Sequence, residues 1–435
     1  MNAPMTGSAH AATTKETPTA FNLVMSVVLL VLLPCLVYYM WIAATQYDGA
    51  LPTPTTKQEW LQLLSYVPMP TWTAVAVFAG WYLLQGLLQI FAPGPWVDGT
   101  QLADGRRLKY KMNGWFSWWF TWAFIALLVF RKGISLDAIK DAGEFVYAQF
   151  GPVLTTIQIF TFIFALYLYF HGKLKPEGER QTGIPTYDYW LGTALNPRIG
   201  SFDLKLFCEA RPGLISWVAI DLFLAAKQYQ LHGTVTTPMI LVCVFHFWYI
   251  ADYYYHEEAI LTTWDIRHEN FGWMLCWGDL VWVPFTYTLQ AFYLLNHTHD
   301  LPWWATAGIV FLNFAGYYIF RSVNIQKHRF RTNPEGLIWG KKPEYIRTAR
   351  GTLLLTSGWW GVARHLNYLG DLMMGLAWCL PTGFDHPLPY FYITYFTILL
   401  VHREMRDNKM CAKRYGADWD AYTAKVKWRI VPGIY

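Results

Sequence analysis

Apolar runs of helix-spanning length recur along this chain, and they constrain it more than any single motif. A hydrocarbon core about 30 Å thick is crossed by about 20 apolar residues in an α-helix. Met25–Ala44 and Thr73–Ala92 are the clearest runs. Stretches around 114–130, 151–170, 213–226 and 237–255 follow, with others near 274–295, 303–320, 372–382 and 389–401. Inside lipid the backbone must satisfy its own hydrogen bonds, which leaves helices or closed barrels, and runs this long read as helices. The expectation is an all-α polytopic integral membrane protein with about ten transmembrane helices. Composition agrees: 14% of the residues are charged, against about 25% in an ordinary soluble domain.

The formal net charge of +5 is small, and the cations sit in connectors instead of along one face. That distribution argues against nucleic-acid binding. One group is Arg106, Arg107, Lys109 and Lys111, and another is Lys173, Lys175 and Arg180. The densest runs through Lys327, Arg329, Arg331, Lys341, Lys342, Arg347 and Arg350. By the positive-inside tendency these loops face the cytoplasm. The six cysteines are widely spaced without a C-x-x-C pair, so reduced, isolated thiols are expected instead of a disulfide or zinc framework. No H-E-x-x-H, G-x-G-x-x-G or G-x-x-x-x-G-K-[ST] is present, and neither a bound metal nor a Rossmann or P-loop nucleotide site is expected.

Three segments are distinguishable. Residues 1 to 20, rich in Thr and Ala, read as a disordered cytoplasmic tail with no cleavable signal peptide. Residues 21–182 carry plain apolar spans suited to scaffolding. From 183 to 435, ionisable groups appear inside or beside apolar helices, where they are expensive and mark functional sites.

Four constellations in this last segment could carry chemistry. In Trp248–Asp279, Tyr249 and Asp252 are three apart and share a helical face, with Glu257 close behind. A tyrosine, with an ordinary pKa of about 10, can deliver a proton in a dry pocket, and it equally suits an interfacial aromatic belt. In Gln326–Arg331, Lys327 and Arg331 lie four apart, a pair suited to phosphate or to membrane anchoring. In Leu354–Asp371, Trp360, Arg364, Asn367 and Tyr368 line one side of a helix. Flat rings, an amide and a guanidinium fit a nucleotide better than lipid, though Arg364 paired with Asp371 is the plainer reading. In His402–Tyr422, Arg403, Asp407, Tyr415 and Tyr422 continue the mixture of charge and aromatic rings. A polyanionic, aromatic ligand would use them all.

The segments Leu354–Asp371, Tyr187–Gly213 and His402–Tyr435 resemble hallmark regions of the sterol reductase family, which includes C14 and C24(28) reductases, 7-dehydrocholesterol reductase and the membrane half of the lamin B receptor. The resemblance runs in order from about residue 90 to the C-terminus. Within the family, Ala225–Gly233, Phe271–Asp279 and Val281–Gln290 are most similar to the 7-dehydrocholesterol reductase branch, Trp273 and Trp277 in particular. The resemblance implies NADPH in a cytoplasm-facing pocket of the C-terminal helices and a sterol from the bilayer, so the expected reaction is reduction of a sterol ring double bond, C7–C8 first and C14 as the alternative. It implies Lys327 and Arg331 at phosphate, and Leu355, Trp360, Asn367 and Tyr368 as pocket walls. Asp407, Cys411, Tyr415 and Tyr422 would complete the site with Arg364 and Arg403 in support, and Tyr249 and Asp407 would form the catalytic pair. The membrane is the endoplasmic reticulum if the source is eukaryotic and the inner membrane if bacterial. Two rivals stay open: an isoprenylcysteine-type membrane methyltransferase and an inactive sterol-binding scaffold.

Overall fold

In a computed structural model of the chain, which describes residues 18–101, 105–174 and 181–435, helix dominates and strands are confined to three short antiparallel hairpins. The expected tail up to residue 17, and the cations Lys175 and Arg180, lie outside the described residues.

Three helices among these residues are long and apolar enough to cross a bilayer: Ala20–Gln46, Trp72–Phe91 and Leu136–Leu174. A shorter apolar helix, Gly114–Val129, joins them. Their starts are marked in the sequence. The Thr19 hydroxyl accepts from the Asn22 amide at 3.2 Å, and the Thr71 hydroxyl accepts from the Ala74 amide at 3.1 Å, each satisfying a donor that has no partner within its helix. The later apolar runs are helical too: Pro212–His232, Thr237–Tyr255, Trp303–Thr332 and Phe391–Tyr415 are long but carry more polar residues, and the others are short or irregular. The run near 274–295 is helical from Trp273 to Thr286 with a π-turn over Gly278–Trp282, and resumes as Leu289–Asn296. Pro284 lacks the amide hydrogen that a regular helix uses there. The run near 372–382 falls within the 14-residue helix Leu366–Cys379, about 21 Å long at 1.5 Å per residue.

Contacts divide the chain into two compact units: residues 1–235 with 246–296, and residues 236–245 with 297–435. The first unit is cored by fully buried Trp118, Trp217, Trp273 and Trp277. It also buries a polar network. The Arg211 guanidinium donates to Gln89 Oε1 at 2.8 Å, Asn113 Oδ1 at 2.8 Å and Glu257 Oε1 at 2.6 Å. A buried cation survives because anionic and amide oxygens surround it.

The second unit is built on the helix Trp303–Thr332 packed against Leu366–Cys379. Two glycines permit the approach: a Cβ on Gly316 would lie 2.7 Å from the Gly370 carbonyl oxygen, and one on Gly370 would lie 2.6 Å from that of Gly316. Such small-residue contacts let helix backbones meet where lipid gives no hydrophobic incentive to associate. Trp378 Nε1–H donates to Asn313 Oδ1 at 3.1 Å along the same seam.

Candidate functional site

In the second unit, the polar end of the helix Trp303–Thr332 carries Gln326, Lys327 and Arg331 past its apolar part. The hairpin Tyr345–Arg347 with Leu353–Leu355 follows, then a turn at Gly358. Gly358 has φ +64°, which favours glycine, and a Cβ there would lie 2.5 Å from Gln326 Oε1 and displace that side chain. The freed space lets Gln326 Oε1 accept the Trp359 amide at 2.8 Å, while Trp360 Nε1–H donates to the Val323 carbonyl at 3.1 Å. Trp360 and Leu355 are thereby locked into a buried cluster with Val323, Phe330, Ala363 and Leu366.

The chain end is stitched to this stretch. Ala363 bridges Trp428, and the Arg364 and His365 amides donate to the Trp428 and Arg429 carbonyls at 3.0 and 2.8 Å. Arg429 and the Tyr435 hydroxyl both donate to the buried Glu404 carboxylate, at 3.0 and 3.1 Å.

Several of the expected residues converge here. Lys327 Nζ sits 3.7 Å from the centre of the Trp360 ring, a cation–π contact. Burial, then the neighbouring Arg331 charge, pushes the Lys327 ammonium down to about 8. Asp407 Oδ2 lies 3.4 Å from His365 Nε2, and the His365 ring stacks on Tyr368 at 4.8 Å. Burial alone would raise the Asp407 carboxyl, but the His365 hydrogen bond and the charges of His365, Lys327 and Arg403 hold it below the ordinary carboxylate value. Cys411 Sγ is 3.9 Å from Asp407 Oδ2, and burial followed by that carboxylate pushes its thiol up to about 12. Cys411 is therefore a protonated thiol at neutral pH, not a nucleophile. Trp419 stacks on Tyr422 at 5.0 Å and on Tyr415 at 6.4 Å, with Cys411 and Leu354 against the same cluster.

Arg364 is buried and donates to Asn408 Oδ1 at 3.0 Å and the Lys427 carbonyl at 3.4 Å. Its Nε, together with Asn367 Oδ1 and Thr356 Oγ1, is shielded from solvent without a protein hydrogen-bond partner. Each such atom costs about 1–3 kcal/mol if nothing meets it. A guanidinium donor, an amide acceptor and a hydroxyl on the same segment as flat rings are groups that a phosphorylated nucleotide could use.

Tyr249 belongs to the first unit. It is half-buried on the helix Thr237–Tyr255, with its ring 6.3 Å from that of Trp217. Asp252 Oδ1 lies 3.7 Å from His256 Nε2. Glu257 is held in the Arg211 network and also accepts the Gly114 amide at 2.7 Å, so its bonds are interior and structural. Sequence reasoning passed over His365 and Asn408 as site residues. Their partners are far along the chain, and only the folded geometry pairs them.

Residues 15–435 match the family model described as the ergosterol biosynthesis ERG4/ERG24 family. The chain is 58% identical over 408 residues to a Delta(14)-sterol reductase of Methylotuvimicrobium alcaliphilum, covering 94% of each chain. It is 47% identical over 417 residues to the Delta(14)-sterol reductase of Dictyostelium discoideum, covering 93% of this chain and 89% of that one. It is 40% identical over 444 residues to a 7-dehydrocholesterol reductase of Xenopus laevis, covering 95% and 93%. This order reverses the leaning toward the C7 branch drawn from Trp273 and Trp277. The reason is visible in the first unit: the two rings stack at 5.1 Å, Trp190 stacks on Trp273 at 5.4 Å, and Trp277 Nε1–H donates to Gln158 at 3.0 Å. Both are fully buried packing residues, and their identity reports the core.

Proposed function

We propose, on the premise that this chain belongs to the ergosterol biosynthesis ERG4/ERG24 family and is a membrane-bound sterol reductase, that it reduces the sterol ring double bond at C14 with NADPH. The C14 position rests on the relatives that carry the Delta(14) name. The cofactor assignment rests on one observation: Lys327 lies against the Trp360 ring with the Arg331 charge beside it.

In this reading Lys327 and Arg331 hold the 2′-phosphate that distinguishes NADPH from NADH, since charge-assisted contacts to phosphate are the strong ones. Leu355, Trp360, Asn367 and Tyr368 wall the pocket. Asp407, Cys411, Tyr415 and Tyr422 complete it, while Arg364 and Arg403 fix the elements that carry them. When bound, the nicotinamide supplies a hydride. Reduction also needs a proton on the other alkene carbon, and Tyr249 is the proposed donor, recharged from solvent after each turnover. Asp407, kept ionised beside His365, holds a fixed negative charge close to Lys327. Residues 21–182 serve as scaffold and residues 183–435 carry the sterol and cofactor pockets, within about ten spans. The sterol enters from the bilayer and the cofactor from the cytoplasm, in the inner membrane of a bacterium or the endoplasmic reticulum of a eukaryote.

The test is product analysis by mass spectrometry after supplying the purified, detergent-solubilised protein with NADPH and either an 8,14-diene sterol or 7-dehydrocholesterol. The expected result is reduction at C14, with kcat/KM at least about tenfold above that for the C7 bond, a transition-state difference of about 1.4 kcal/mol. Turnover of 7-dehydrocholesterol alone would assign the C7 bond instead. Cofactor binding without product from either sterol would favour a sterol-binding scaffold.

A further inference from the structure

Beneath Tyr249, the first unit holds a polar group that none of the roles above uses. Asp221 and His246 are fully buried, on helices whose apolar stretches the sequence marks as spans. The indole N–H of Trp217 donates to His246 Nδ1 at 3.0 Å, and Asp221 Oδ2 lies 2.8 Å from that same nitrogen. Trp217 and Asp221 are four apart on one helix, and His246 and Tyr249 are three apart on the other, so each pair shares a helical face. The Trp217 ring packs on Tyr249 at 6.3 Å and edge-on to Tyr287 at 5.1 Å.

One ring nitrogen holds either a hydrogen or a lone pair in its plane, and a lone pair can be shared by two donors. If Nδ1 carried a hydrogen for an Asp221 carboxylate, it would oppose the indole N–H, which can only donate. Both contacts hold together when Nδ1 carries the lone pair and Asp221 carries the proton. A neutral carboxylic acid is also what a helix interior of this kind tolerates at least cost. The arrangement then reads as a clamp: Asp221 orients His246, His246 holds the indole, and the indole sets the plane of the Tyr249 ring.

We propose that Asp221, His246 and Trp217 are positioning residues for Tyr249, with Asp221 acting as an uncharged hydrogen-bond donor. The proposal rests on Tyr249 being the proton donor. Misplacing a reacting group by about 1 Å can cost about 10²-fold in rate, so the clamp affects turnover more than binding.

The experiment measures kcat, sterol KM and NADPH affinity on the full-length detergent-solubilised protein, with thermal melting recorded alongside. Asp221→Ala and Trp217→Ala are expected to lower kcat by at least about tenfold, within the range that misplacement allows, while sterol KM and NADPH affinity hold steady. Asp221→Asn keeps a donor without charge and is expected to recover most of what Asp221→Ala loses, as is Trp217→Phe in part, since it restores a ring wall. If Asp221→Asn is as impaired as Asp221→Ala, the uncharged-donor clamp is wrong, because the carboxylate's charge or acidity is then needed. If an alanine variant fails to fold, the Asp221→Asn and Trp217→Phe pair decides the matter: parental melting with kcat as low as in Tyr249→Phe overturns the proposal. Tyr249→Phe run in parallel separates the two ideas. Full turnover there removes Tyr249 as donor, whereas lost turnover there with unaffected Trp217→Ala removes only the clamp.

Discussion

Lys327 is the residue whose chemistry can be read most directly. Its spacing from Arg331 reads in the sequence as a pair suited to phosphate or to membrane anchoring, and the fold adds the Trp360 ring against it. With the ammonium pushed down to about 8, the cation is present at pH 7 and lost as the pH rises through that value. NADPH affinity should therefore weaken between pH 7 and pH 9 in fluorescence titrations, and Lys327→Arg should flatten that dependence because a guanidinium stays charged. Replacing Lys327 and Arg331 together with alanine should raise the KM for NADPH more than tenfold, as charge-assisted contacts are worth roughly 1.5–3 kcal/mol each. Unchanged NADPH kinetics in the folded double variant would remove both from the phosphate. Tyr249→Phe deletes one hydroxyl, so NADPH affinity should hold while turnover drops by about 10²–10⁴-fold, the usual contribution of a general acid. Asp407→Asn should also reduce turnover. The pairing of His365 with Asp407 was not legible, because no helical spacing links residues on separate elements.

At the scale of elements, the apolar runs marked the helices Ala20–Gln46 and Trp72–Phe91, since length and composition decide those, but not their threonine caps or the extension of the run near 151–170 to Leu136–Leu174. Hydropathy was less informative for the run near 274–295, where a π-turn over Gly278–Trp282 and a turn before Leu289 make irregular what it reads as one span. A hydropathy window averages over such breaks. The Gly316–Gly370 seam was equally silent, because two glycines in apolar helices declare no partner. Gly370→Leu places a side chain against the Gly316 carbonyl and the Phe320 backbone, 2.6 Å from each at the Cβ. Overpacking typically costs about 1–3 kcal/mol, and a backbone obstacle cannot rotate aside. The melting temperature in detergent should fall for Gly370→Leu and stay near parental for Gly308→Leu, where a Cβ meets nothing within 4 Å. Equal melting of the two would mean the seam is not a stabilising contact.

At the scale of the whole molecule, family membership was legible because long ordered motifs recur to the C-terminus, and the match over residues 15–435 bears that out. The substrate bond was not legible from Trp273 and Trp277, whose rings are committed to packing within the first unit. Of the groups in the proposed chemistry, Lys327, Arg331 and Trp360 belong to the second unit and Tyr249 to the first. The step proposed for this chain is hydride transfer from NADPH to a sterol. Supplying NADPH deuterated at the transferable position of nicotinamide C4, with an 8,14-diene sterol in ordinary water, tests it most directly by mass spectrometry and NMR of the product. The expected product carries one deuterium per molecule, on a carbon of the former C14 double bond, with the second new hydrogen drawn from solvent. Reduced sterol carrying no deuterium from the cofactor would contradict the proposed transfer.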